Sequence, residues 1–241
     1  MMRSVGILAL FAFMLCVTVP VQAAVVYSTD FSTAPGSQWS DTSTKTSNGE
    51  TYLAGPGYYG FGNQTVTLTL TGLTAGASAT IEFDLYVIGS WDGNGVPGNT
   101  PSWPAWSRPD NWEVTVNGTQ KIYTNFAHYT VDGQTQSYPA MVAPLGPGAT
   151  NPARTGATAS NHLGFGTGAT GDSTYHFSVL VDNLPSSTLT VAFASYQTED
   201  TSNEGWGLDN VRVTATPAPA ALLLFAPGLA GLAVLRRRLK K

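Results

Sequence analysis

The sequence predicts an all-β protein built as a two-sheet β-sandwich of jelly-roll type, on three observations. Apolar residues recur with a period of two, glycine and threonine are plentiful, and no window carries the apolar stripe of a helix. Residues 65–71 alternate perfectly, with Val66, Leu68 and Leu70 on one face and threonines on the other. Ile81, Phe83, Leu85 and Val87 repeat the pattern, as do Tyr175, Phe177, Val179 and Val181, and then Leu189, Val191 and Phe193. Between residues 112–116 and 120–123, Asn117-Gly118 is a two-residue hairpin signal, because both residue types accept positive φ. Short antiparallel strands with one apolar face each pack as two sheets.

The final strand changes phase. Trp206 and Leu208 share one parity, Val211 and Val213 the other. One extra residue at Asp209-Asn210 returns both pairs to the core face, which is what a bulge does. Such a bulge re-aims Asp209 and Asn210. Metal binding and a plain structural kink are its two possible uses.

Two stretches do not read as strands. Residues 89–110 hold Trp91, Trp103, Trp106 and four prolines. Loops of that length are uncommon in compact domains unless they bind something. Trp103 and Trp106 lie among prolines, where exposed aromatic faces stack on sugar rings, so they are the candidate glycan-binding residues. Trp39, Trp91, Trp112 and Trp206 each adjoin a strand and are expected in the core. Residues 143–171 are rich in Gly, Ala, Thr and Pro and are expected to be flexible.

The two ends differ from the body. A short basic start, an apolar run over residues 5–19 and small residues up to Ala23 form an export signal, cleaved after residue 23. Cys16, the one cysteine, falls inside it, so the body has no disulfide. Residues 218–235 carry no charge and at about 1.5 Å rise per residue would span about 27 Å, close to a bilayer core. Ahead of them stands the proline motif Thr216, Pro217, Ala218, Pro219. Behind them stand Arg236, Arg237, Arg238, Lys240 and Lys241, a basic stop that stays cytoplasmic. This layout reads either as a sorting signal or as a permanent anchor. The organisation is therefore residues 1–23, a β-domain over 24–215, and a membrane-directed tail over 216–241.

The body has five basic residues (Lys45, Arg108, Lys121, Arg154, Arg212) against all fifteen acidic ones, a net charge of −10. That balance excludes nucleic acid as a partner, since its binding is dominated by cationic contacts to phosphate. It suits calcium and neutral glycans. Catalysis finds little support. His128, His162 and His176 have no paired metal-ligand spacing, and no serine lies in a nucleophile motif. Glu82 and Asp84 share a strand face, but they project in parallel from one surface and not across a cleft, as glycoside hydrolysis requires. No residue is assigned as catalytic. Oxygen-rich clusters suit calcium better: Asp92 with Asn94, Asp110 with Asn111, Glu199 with Asp200 and Glu204, and Asp209 with Asn210. The same residues are also ordinary turn formers.

The C-terminal segment TPAPAALLLFAPGLAGLAVLRRRLKK resembles the PEP-CTERM class of sorting signals, in its variants with a Val-Pro-x-Pro-Ala core. Ala218 stands where the common motif has glutamate. The resemblance implies an exosortase-type membrane protease as partner, a Gram-negative host that makes exopolysaccharide, and delivery to the outer surface or biofilm matrix. In the body, FDLYVIGSWDGNG, RPDNWEV and EGWGLDNVRV are similar to a jelly-roll module of such surface proteins, with Arg108 where that module has glycine. Tyr27 to Phe31 followed by Trp39 is similar to the start of calcium-stabilised carbohydrate-binding jelly rolls. That likeness implies pairing of the first and last strands with structural calcium between them, for which Asp30 and Asp209 are the expected ligands. The expected function is an exported, non-enzymatic surface or matrix protein. The alternative is a calcium-dependent carbohydrate-binding module, and the second, less favoured alternative is a glycoside-active enzyme using Glu82 and Asp84.

Overall fold

A computed structural model describes residues 22–95, 109–128, 133–140 and 149–216. Its strands are β1 (Ala24–Thr29), β2 (Thr44–Ser47), β3 (Glu50–Leu53), β4 (Thr65–Leu70), β5 (Ser78–Gly89), β6 (Asn111–Val116), β7 (Thr119–Asn125), β8 (Ala159–Ser160), β9 (Asp172–Val181), β10 (Leu189–Tyr196) and β11 (Glu204–Thr216). Among the described residues there is no α-helix. The expected all-β class and two antiparallel sheets are both present. Residues 1–21 of the proposed export signal and the tail beyond Thr216 lie outside the described residues.

The larger sheet runs β2-β3-β11-β5-β9-β8, and the smaller runs β4-β10-β6-β7. Each alternating strand turns its apolar row inward. Val66 and Leu68 of β4, Ile81 to Val87 of β5 and Leu189 to Phe193 of β10 all supply fully buried side chains at every second position. Each large apolar side chain so buried contributes roughly 1.5–3 kcal/mol. Trp112 stands between the sheets, its ring centroid 5.9 Å from Phe83, 5.6 Å from Phe177, 6.3 Å from Phe193 and 6.2 Å from Trp206. The four tryptophans expected in the core are all buried. The hairpin is also as expected, with Asn117 at φ 49° and Gly118 at φ 77° joining β6 to β7.

The bulge in β11 decides which strands meet. Its register against β5 shifts between Asp209 and Arg212, and Asn210 takes φ 49°. Trp206, Leu208, Val211 and Val213 consequently all reach the core. On the opposite edge, β3 meets β11 at Leu208, before the bulge, while β1 pairs with Val211 to Ala215 after it. First and last strands therefore lie side by side.

The expectation of a flexible segment over 143–171 is corrected from residue 149 onward. Asn151 and Gln136 exchange backbone hydrogen bonds of 2.8 and 2.9 Å. Arg154 donates to the carbonyls of His128 at 3.0 Å and Gly168 at 2.9 Å, and to Asn161 Oδ1 at 3.0 Å. Low apolar content suggested mobility, but this segment is held by polar bonds.

Candidate functional site

The outer face of the smaller sheet carries an ordered group of aromatic and acidic side chains. β10 and β6 are in register as Ala194 opposite Glu113 and Ala192 opposite Thr115. β4 adds Thr65 opposite Ala194 and Thr67 opposite Ala192, and β7 adds Tyr123 opposite Glu113. This gives a floor of small side chains, bounded by two tyrosines. Tyr196, 52% exposed, sits 6.4 Å from Tyr123, with ring planes inclined by 48°.

Glu113 ties this wall together. Its Oε2 accepts from the Tyr196 hydroxyl at 2.8 Å and its Oε1 from Gln120 Nε2 at 3.1 Å. The Tyr196 hydroxyl is pushed above its ordinary pKa by its bond to the Glu113 carboxylate, and that of Tyr123 by burial and then by the same charge. Both phenols stay neutral at physiological pH. Each carboxylate oxygen keeps acceptor capacity beyond one donor. The surface thus offers two aromatic faces, fixed carboxylate acceptors and a shallow step down to alanine and threonine.

The residues expected from sequence are placed as follows. Trp103, Trp106, Pro217, Ala218, Pro219 and the basic stop lie outside the described residues, whereas Thr216 closes β11 opposite Ser78. Asp30 is exposed in a turn, where its Oδ1 accepts from the Ser32 amide at 3.0 Å and the Ser32 hydroxyl at 2.6 Å. Those bonds hold its carboxyl below the usual range. Asp209 lies buried on the outer face of the larger sheet, accepting from the Tyr86 hydroxyl at 2.9 Å. Burial raises its pKa to about 6, aided by the charges of Asp84 and Glu50. Neither Asp30 nor Asp209 is among the charges acting on the other.

Other acidic positions divide into turn formers and an unexpected cluster. Asp200 folds back on Ser202, accepting from its amide at 2.8 Å. Glu82 pairs with Arg212 at 3.0 Å, and Asp84 binds His176 at 2.8 Å and Asn210 at 2.8 Å. Both side chains of that strand-face pair are thus tied to neighbours on one sheet surface. By contrast, Asp92, Asp110 and Glu204 are buried together where β5, β6 and β11 meet. Burial pushes all three carboxyls upward, and their mutual repulsion raises Asp92 and Glu204 further.

Sequence reasoning passed over Tyr123, Tyr196 and Glu113. The signal was parity. With Leu189, Val191 and Phe193 inward, Tyr196 falls on the solvent face, and with Ile122 buried so does Tyr123.

No protein-family model matches the chain, and no curated protein matches it. Among solved structures, it is similar to dimeric latent PorU from Porphyromonas gingivalis, at 13% identity and a TM-score of 0.35, over 69% of this chain and 12% of that one. It is also similar to TmCBM27, a carbohydrate-binding module described for specific mannan recognition, at 14% identity and a TM-score of 0.36, over 80% and 98% of the two chains. A third is the CBM22-1 xylan-binding domain of Paenibacillus barcinonensis Xyn10C, at 14% identity and a TM-score of 0.34, over 83% and 99%. The chain thus spans about one eighth of PorU and nearly all of the two binding modules. At such values, what those proteins bind says nothing about what this chain binds.

Proposed function

We propose that this chain is an exported, non-catalytic carbohydrate-binding domain that its C-terminal segment directs to the cell surface or its polysaccharide matrix. The observation that supports it is the Tyr123–Tyr196 wall, braced by Glu113 and standing over the Ala192–Ala194 floor. Aromatic faces remove the apolar face of a pyranose from water, and fixed acceptors select its hydroxyls. A shallow open face suits an internal stretch of a long polymer. The body's charge of −10 and the Glu113 carboxylate favour neutral glycans over anionic ones.

The absence of an assigned catalytic residue follows from the acid geometry. The half-buried pair Glu82 and Asp84 is held by Arg212, His176 and Asn210 on one sheet surface. Hydrolysis needs two carboxylates facing each other across a bound glycosidic bond.

Affinity electrophoresis through gels containing neutral and anionic polysaccharides tests the reading. Retardation by at least one neutral polymer is expected, and Tyr196→Ala should weaken it about tenfold or more while leaving the denaturation midpoint nearly unchanged. Equal mobility in every gel would end the glycan reading.

A further inference from the structure

The buried acids at the junction of β5, β6 and β11 are only partly used. Asp110 is satisfied: its Oδ2 accepts from the Asp92 amide at 2.8 Å and its Oδ1 from the Thr198 amide at 3.2 Å. Asp92 Oδ1 accepts from Gln134 Nε2 at 2.7 Å. Asp92 Oδ2, both carboxylate oxygens of Glu204 and the amide oxygen of Gln134 are buried and receive no donor among the described residues. Asp92 is 1% exposed, Gln134 2% and Glu204 0%. Glu204 faces Asp110 within hydrogen-bonding range and feels the charge of Asp92. The backbone is shaped to keep this cluster closed. Gly93 turns at φ 61°, where a Cβ would strike the Thr135 carbonyl, and its own carbonyl accepts from the Asp110 amide at 3.1 Å.

Leaving a buried polar oxygen without a partner costs roughly 1–3 kcal/mol, and more for a charged one. Three neighbouring acids compound that cost, because like charges in a dry site cannot all ionise. Bound water can supply donors to the unpaired oxygens, but only protons or a cation can relieve the repulsion between the acids. Protons account for the Asp110–Glu204 contact but leave the Gln134 amide oxygen unused. A cation uses it, since an amide oxygen and a carboxylate oxygen are equivalent kinds of donor to a hard metal ion.

We propose that Asp92, Glu204 and the amide oxygen of Gln134 hold a divalent cation of the calcium class. Among the described residues, no three acidic, histidine or cysteine side chains already form a metal cage. The proposed sphere is mixed, with two carboxylates, one amide oxygen and further oxygens from backbone or water. Calcium accepts such a sphere of six to eight oxygens in loose geometry, whereas zinc favours nitrogen and sulfur and magnesium demands a near-ideal octahedron. The site joins the end of β5, the start of β11 and the segment around Gln134. Asp92 and Asp110 flank residues 96–108 in the sequence, and the bond from the Asp92 amide to Asp110 Oδ2 joins the two flanks beside the site. This assignment does not rest on the glycan reading, and it differs from the expected Asp30–Asp209 site.

The test uses the full chain purified in detergent, melted in calcium chloride and in EDTA, with terbium as a luminescent probe. Calcium at about 100 times its dissociation constant should raise the midpoint by about 5–10 °C for a domain of this size. Terbium bound there should be sensitised by Trp91, the neighbour of Asp92. Glu204→Gln and Asp92→Asn should each melt no lower than wild type in EDTA, since they remove repulsion, yet lose the calcium response and the terbium signal. Asp209→Asn should keep both. A wild-type protein with neither a calcium shift nor terbium luminescence would overturn the proposal. A response that persists in Glu204→Gln and vanishes in Asp209→Asn would overturn it equally.

Discussion

Asn210 donates from its side-chain amide to Asp84 Oδ2 at 2.8 Å, while its backbone sits at φ 49°. The bond crosses from β11 to β5 at the point where the register slips, so one residue both makes the bulge and secures it. Asn tolerates this left-handed conformation better than most residues, and the conformation costs a typical L-residue about 1–2 kcal/mol. Asn210→Gly keeps the backbone and loses only an exposed hydrogen bond, so its loss of stability should stay below about 1 kcal/mol. Asn210→Val should lose about 2 kcal/mol or more, adding backbone strain to the lost bond. Chemical denaturation of the two variants checks the difference. Equal losses would show that conformation at 210 does not hold the bulge.

His128 gives a pH prediction. The side chain is buried, and burial followed by the charge of Arg154 lowers its pKa to about 3. The folded state therefore keeps the imidazole neutral where the unfolded chain, with a pKa near 6.5, takes up a proton. Below that value the unfolded state binds more protons, so the stabilising contribution is present above about pH 6.5 and is lost as pH falls toward 3. The limiting slope is about 1.4 kcal/mol per pH unit. His128→Gln should flatten the decline in denaturant midpoint between pH 6 and pH 4. A variant with the same slope as wild type would remove His128 as its source.

The proposed glycan surface lets stacking be separated from hydrogen bonding. Tyr196→Phe keeps the ring and loses the 2.8 Å bond to Glu113, so affinity should fall only a few-fold. Tyr196→Ala removes the ring and should cost about tenfold or more, equivalent to about 1.4 kcal/mol. Glu113→Gln retains an acceptor and should behave like the phenylalanine variant. Titration calorimetry with the polymer found by affinity electrophoresis measures all three.

How much of this was legible in the sequence depends on whether the signal was local. Period-two alternation placed β4, β5, β9 and β10 because each strand states its own inward face. The phase change between Leu208 and Val211 gave the bulge for the same reason. Glu204 carried a readable oddity, a carboxylate on the inward parity of Trp206 and Leu208. Its partner Asp92, however, reaches it only through the β5–β11 pairing, and Asp110, just before β6 in the other sheet, only through its bond to the Asp92 amide. Nor could local pattern show that Tyr123 and Tyr196, from different strands, share one face across β6. The tryptophan-rich loop drew attention through composition, while the platform is built of residues ordinary in any strand.

The last prediction concerns the point where the sheet ends. Thr216 is the final residue of β11, paired with Ser78, and its hydroxyl donates to the Ser78 carbonyl at 3.3 Å. Among the described residues this is the last pair, and the residues on both strands disfavour its extension. On β5, the backbone of Ala77 is already engaged by Thr74 and Leu184. On the other side, Pro217 has no amide hydrogen to donate to a ladder. The proline motif therefore begins with a residue paired in the sandwich, Thr216. Prolines at 217 and 219 disfavour helix in the residues before them, which favours the extended chain that proteases bind. If the tail is a sorting signal, mature protein should end near residues 216–219 and lack the basic stop. Changing Pro217 and Pro219 to Ala should then leave uncut precursor in the inner membrane. If it is a permanent anchor, length, hydrophobicity and the basic stop suffice, and the same double substitution should change nothing. Intact-mass measurement of the protein from its own cells separates the two: a species that retains Lys241 and stays with the inner membrane establishes the anchor.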